Sequence, residues 1–209
     1  MPRVADHDQR RHQIALAFQR LLATVGFTGV TFAKVAAEAG ISVGLIQHYF
    51  SGKDALLRFA YDDALSGLSE RVRAKLTTGD DTQGGVPTAR VLFDSLAELL
   101  PLDAEREVEY RVRQCLQTQA LHDTSLAEVA WRAGRDILGY VCGMVEHGIE
   151  RGEVEPDVDP VLAARGILAT VQGLADQVAL SGKDNFPAEE VLRTAIATVF
   201  TALGDPSGH

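Results

Sequence analysis

The stretch from Thr31 to Leu57, TFAKVAAEAGISVGLIQHYFSGKDALL, constrains this chain more than any other. Phe32, Val35, Ala36 and Ala39 recur at spacings of three and four, which predicts a short helix with one buried face. Thr31 stands before it as an N-cap. Gly40 follows it, where a helix exit often needs a left-handed backbone that glycine adopts without steric cost. Ser42 then caps a second short helix whose buried side is Ile46 and Phe50, and Ser51-Gly52-Lys53-Asp54 has the form of a capping box opening a third. Two short helices joined by a glycine turn can set a helix into the DNA major groove. The same unit also occurs in all-α proteins that never meet nucleic acid.

The wording separates these cases. Thr31, Val35, Ala36, Ala39-Gly40-Ile41-Ser42, Gly44, Ile46, Tyr49-Phe50, Lys53 and Leu56-Leu57 stand in an order and spacing that resemble the DNA-binding domain of the TetR family of transcriptional regulators. The likeness is closest over the first quarter of the chain; beyond it, length and architecture agree. It implies a homodimer that represses from a palindromic operator and is released by a small-molecule effector. At Thr31, Tyr49 and Lys53 the chain matches family positions that hold phosphates, and Ser42 joins them at the helix entrance.

The face of the second short helix, Ser42 to Tyr49, can be read directly. Val43, Gly44, Gln47 and His48 fall on its outer side, away from Ile46 and Phe50. Gln47 can pair in bidentate fashion with an adenine edge, and His48 can donate to guanine or to a phosphate. Val43 and Leu45 offer only apolar contact, for instance to a thymine methyl. Lys53 opens a helix, where its charge opposes the dipole, so a phosphate partner would account for it; simple solvation is the plainer alternative. Many relatives carry Thr where this chain has Leu45 and Tyr where it has Gln47. Both differences lie on the base-reading face, so no operator sequence transfers.

A formal net charge of −9 fits a DNA binder only once it is divided. Residues 1–60 hold seven Lys and Arg against four acids, a balance of +3, which leaves −12 for the remainder. Only the N-terminal part is then suited to phosphates.

Elsewhere the chain reads as helix after helix, about nine in all with no strand, an all-α fold with a three-helix head at 1–52 and a helical body at 53–209. Residues 6–25 open at an Asp6–Gln9 capping box and carry the stripe Ile14, Ala17, Phe18, Leu21, Leu22, Val25 up to Gly26. A linking helix covers 53–76, and Thr77–Gly85 is the most loop-like stretch. Helices follow over 86–100, 103–120, from a Ser125–Glu128 capping box to 150, over 160–180 behind Asp159-Pro160, and over 187–203.

The last two are apolar on more than one side, which predicts burial on more than one side. Either they form a monomer's core, or they pair with their copies across a two-fold axis as a four-helix bundle. The resemblance favours pairing, through Leu162, Gly166, Ala169, Gly173, Leu192, Ile196, Val199 and Phe200. It also implies an effector cavity in the body, for which the polar and aromatic residues beside apolar stripes are candidates: Tyr110, Arg111, Gln119, Trp131, Cys142 and Gln172.

Two other functions were open to such a chain. A helical enzyme or carboxylate-metal protein lacks support: Glu146-His147 has no second cluster to complete a di-metal site, and there is no phosphate loop, HExxH or framed nucleophile. No catalytic residue, metal ligand or cofactor is therefore assigned, and His122 and His147 read as surface or core histidines. A dimeric interaction module without DNA binding would not need Thr31, Tyr49 and Lys53. Cys115 and Cys142 lack paired or metal-ligand spacing and read as buried free thiols. No apolar run approaches a membrane span and the N-terminus lacks a signal-peptide segment, so a soluble, cytoplasmic protein is expected.

Overall fold

The computed structural model describes residues 2–78 and 86–201, with side chains for 7–73 and 86–201. Nine α-helices cover most of these residues: α1 Pro2–Gly29, α2 Phe32–Ala39, α3 Val43–Tyr49, α4 Lys53–Thr78, α5 Thr88–Ala97, α6 Ala104–Ala120, α7 Thr124–Glu150, α8 Pro160–Ser181 and α9 Ala188–Ala197. A 3-10 turn, Lys183–Asn185, precedes α9, and no strand occurs among the described residues. Of the expected loop Thr77–Gly85, residues 79–85 lie outside the described residues, while Thr77 and Thr78 close α4. None of the described helices is long and apolar enough to cross a membrane.

The chain forms two compact units, Met1–Gly67 with Asp103–Trp131, and Leu68–Leu102 with Arg132–His209. In the first, α1 packs on α2 and α6 and α2 packs on α3. Its core is the predicted stripe of Ile14, Ala17, Phe18 and Leu22 closed by Val35, Ala36, Ile46, Phe50, Leu56, Leu57, Ala60, Val112 and Leu116, all buried. Two side-chain amides fasten α1 along its length: Gln13 donates to the Ala39 carbonyl (2.8 Å), and buried Gln19 donates to the Ala60 carbonyl (3.0 Å) and to Asp63 (3.3 Å). The compact grouping thus reaches past residue 52: α6 packs on α1, and the first half of α4 buries Leu56, Leu57 and Ala60 and accepts the Gln19 bond.

Three local expectations are corrected here. α1 begins at Pro2, so the Asp6–Gln9 pair lies inside the helix rather than at its entrance, and Val25 is 43% exposed, just before the backbone breaks at Gly26 (φ 67°). α7 starts at Thr124 and its cap is Asp123, not Ser125: Asp123 Oδ1 accepts from the Ser125 and Leu126 amides at 2.8 and 3.0 Å and from the Ser125 hydroxyl at 2.6 Å. The Ser125 hydroxyl bond, with the two amides, holds that carboxyl below its ordinary range. Cys115 and Cys142 are free but only half-buried, with burial pushing the Cys115 thiol up to about 11.

In the second unit, α9 packs on α5 and α8. Asp159 caps α8 as expected, its carboxylate accepting from the Val161 and Leu162 amides at 2.8 and 3.1 Å. α9 departs from expectation. It stops at Ala197, and the chain then turns so that Phe200 pairs with Val154 in an isolated antiparallel bridge while the Thr201 amide donates to the Glu153 carbonyl (2.8 Å). Phe200 lies over Gly148, where any Cβ would stand 2.6 Å from the ring, so α7 needs glycine at that point. Beside this closure Glu153 accepts from Arg151 and from the Thr88 amide; those bonds outweigh its burial and keep its carboxyl below the ordinary range.

Candidate nucleic-acid interface

The head is assembled by caps rather than by long apolar faces. Thr31 Oγ1 accepts from the Lys34 amide (3.3 Å) at the entrance of α2. Gly40 leaves it with φ 67° and ψ 34°, and the Gly40 and Ile41 amides donate back to the Ala37 and Ala36 carbonyls at 3.3 and 3.0 Å. That reversal requires a residue at ease in the left-handed region, which is why glycine sits there. Ser42 then caps α3, its Oγ accepting from the Leu45 amide at 3.2 Å.

Isolated helices of this length are unstable in water, so α3 depends on its cap and its anchor. The anchor is Ile46, fully buried, followed by Phe50 at 3% exposure as the chain leaves the helix. Everything opposite is open: Ser42, Val43, Gly44, Gln47 and His48 are exposed, and Leu45 and Tyr49 are half-buried. Four of the five predicted base-reading residues therefore share an open surface, with Leu45 at its margin. The rings of His48 and Tyr49 meet edge-on, centroids 5.3 Å apart.

Lys53 has a partner that the sequence did not reveal. Its ammonium donates to the Phe27 carbonyl (2.6 Å) and the Val30 carbonyl (3.2 Å) and stands over the Phe27 ring, 4.2 Å from the centroid. Carbonyls at the exit of α1 carry the partial negative charge that this cation needs. The unfavourable position at the start of α4 is explained inside the protein, and one of three ammonium N–H groups remains. Lys34 acts alike on the same segment, donating to the Gly29 carbonyl at 2.7 Å. Arg11 is a further contributor missed in the sequence: its guanidinium lies over Phe59 (4.2 Å) and Phe50 (5.6 Å), tying α1 to the end of α3.

A glycine-turned helix pair held by Thr31 and Ser42 with its second helix laid bare has clear relatives. The model for bacterial regulatory proteins of the tetR family matches residues 17–59, and that for the C-terminal part of BetI-type transcriptional repressors matches residues 88–203. The chain belongs to the TetR family. It is 29% identical over 175 residues to the HTH-type transcriptional regulator PksA of Bacillus subtilis, covering 84% of this chain and 81% of PksA. Over 209 residues it is 27% identical to the regulator BetI 2 of Chromohalobacter salexigens, covering 98% and 95%. A transcriptional regulator from Rhodococcus sp. Rha1 superposes with a TM-score of 0.77 at 28% identity over 93% of this chain and 99% of that one. A regulator from Saccharomonospora viridis, solved in complex with choline, shares the fold (TM-score 0.76, 24% identity, 91% and 95% covered). TetR-family proteins are transcriptional regulators, not enzymes; they bind DNA operators, act as dimers and bind small-molecule effectors.

The dimer-interface candidates divide sharply. On α8, Leu162 is 71% exposed, Gly166 and Ala169 are exposed and Gly173 is half-buried. Leu192, Ile196 and Phe200 are instead buried within their own protomer at 0%, 0% and 1%, as part of its core. Val199 is half-buried. The effector candidates are dispersed: Tyr110, Arg111 and Gln119 on α6 and Trp131 on α7 belong to the first unit, Cys142 and Gln172 to the second. Tyr110, Gln119 and Cys142 are half-buried, whereas Arg111 pairs with Glu107 (2.7 Å) and Trp131 is 63% exposed.

Proposed function

We propose that the chain is a cytoplasmic, homodimeric repressor that lays α3 in the major groove of a palindromic operator and leaves it when a small molecule binds the body. The observation that carries this reading is the open face of α3, where Gln47 and His48 stand exposed while Ile46 alone is buried. Gln47 and His48 read base edges, with Val43, Gly44 and Leu45 supplying close or apolar approach. Thr31, Ser42, Tyr49 and the remaining N–H of Lys53 meet phosphates. Residues 1–52 supply the reading head; 53–209 hold the effector and the partner copy.

Pairing uses the open side of α8, along Leu162, Gly166, Ala169 and Gly173, joined by Val199. The effector is sought among Tyr110, Arg111, Gln119, Trp131, Cys142 and Gln172. Choline, bound by a regulator of the same fold, is the first probe. Coupling is reciprocal: an effector that prefers the DNA-incompetent state weakens DNA binding by the factor by which DNA weakens its own.

Selection of duplexes from random DNA by the full chain tests the reading. It should enrich a palindrome, and affinity for it should fall steeply with salt, with a slope of about −0.9 per phosphate contact on a log–log plot. Enrichment of no sequence, or binding indifferent to salt, would overturn it.

A further inference from the structure

α1 begins at Pro2, well ahead of the matched family segment 17–59. His7 and Arg11 stand four residues apart, on one face of the helix. That face meets the exit of α3: the Arg11 guanidinium covers Phe50, and the His7 ring meets Tyr49 edge-on with centroids 4.8 Å apart at 62°. His48 reaches Tyr49 from α3 itself. Tyr49 is therefore bracketed by two imidazoles from two helices, and His7 keeps 52% of its side chain exposed at the edge of the open α3 surface.

We propose that His7 is a further DNA-contacting residue, donating to a phosphate beside the one met by Tyr49. The inference rests on the groove-reading role of α3. An imidazole N–H at the edge of the α3 surface can donate to a phosphate oxygen. The surrounding charges favour this use. Asp8, 3.8 Å from His7 Nδ1, is outnumbered by Arg10 and Arg11 on the same stretch of α1. Arg10 and Arg11 stand one turn along α1 from His7, and Tyr49 meets the His7 ring from α3 with His48 against Tyr49.

Fluorescence anisotropy with the full chain on an operator-bearing duplex, across a series of salt concentrations, tests the proposal. His7→Phe keeps a ring against Tyr49 but cannot donate; His7→Ala removes both. Both variants should bind about threefold to tenfold more weakly than wild type, with the salt slope reduced by about one contact. Equal binding by His7→Phe and wild type, or a loss seen only in His7→Ala, would make His7 a packing residue and overturn the inference alone. Failure of the wild-type chain to bind any selected duplex would overturn the groove-reading role together with it.

Discussion

Helices α3 and α8 each bury one side and leave another open, yet the open sides differ in kind. α3 is seven residues long, buries Ile46 alone and turns Gly44, Gln47 and His48 outward. α8 spans 22 residues and buries Ala164, Ile167, Val171, Leu174, Ala175 and Val178, while Leu162 and Leu180 stay 71% and 89% exposed. A short helix fastened by caps and one anchor can spend its remaining surface on donors and acceptors, which suits base edges. A long helix that keeps leucines in water on its open side suits a second protein surface. Each helix keeps a side that its own protomer leaves open, polar on α3 and apolar on α8.

The sharpest way to break this contrast is Ala169→Glu. A carboxylate trapped without a partner at a two-fold contact costs about 3–5 kcal/mol, and the dimer carries two of them. Sedimentation should show monomers with the helical spectrum intact; an undisturbed dimer would remove α8 from the interface. Next in size is Phe200→Ala, which empties the site over Gly148 and should lower protomer stability by about 3–5 kcal/mol in denaturant unfolding. If it split the dimer without that loss, the end of α9 would belong to the contact after all. Gln47→Ala should have the smallest effect, relaxing preference at one or two operator positions by about 1–3 kcal/mol each while thermal stability stays put. Unchanged base preferences would mean that α3 does not read through this face.

The elements of the head were legible because each is specified by neighbours in the chain. Thr31, Gly40 and Ser42 act within three or four residues of themselves, and their caps and turn are found where spacing places them. Asp159 was legible for the same reason, and Ser125 was misread because Asp123, two residues earlier, offers the stronger acceptor to the same amides. Lys53 shows the limit. Its charge at a helix start was visible as an anomaly, but its partners Phe27 and Val30 lie more than twenty residues upstream and come into reach only on folding.

What the sequence by itself determined is the set of helices, the glycine turn and the outward face of α3, since helical period and capping are local properties. Only the tertiary structure decided which apolar side faces the protomer's own core. Leu192, Ile196 and Leu162 are alike as residues, yet the first two are consumed by packing of α9 on α5 and α8 while the third is left in water. Hydrophobicity records that a side chain gains by leaving water; it does not name the surface that will cover it.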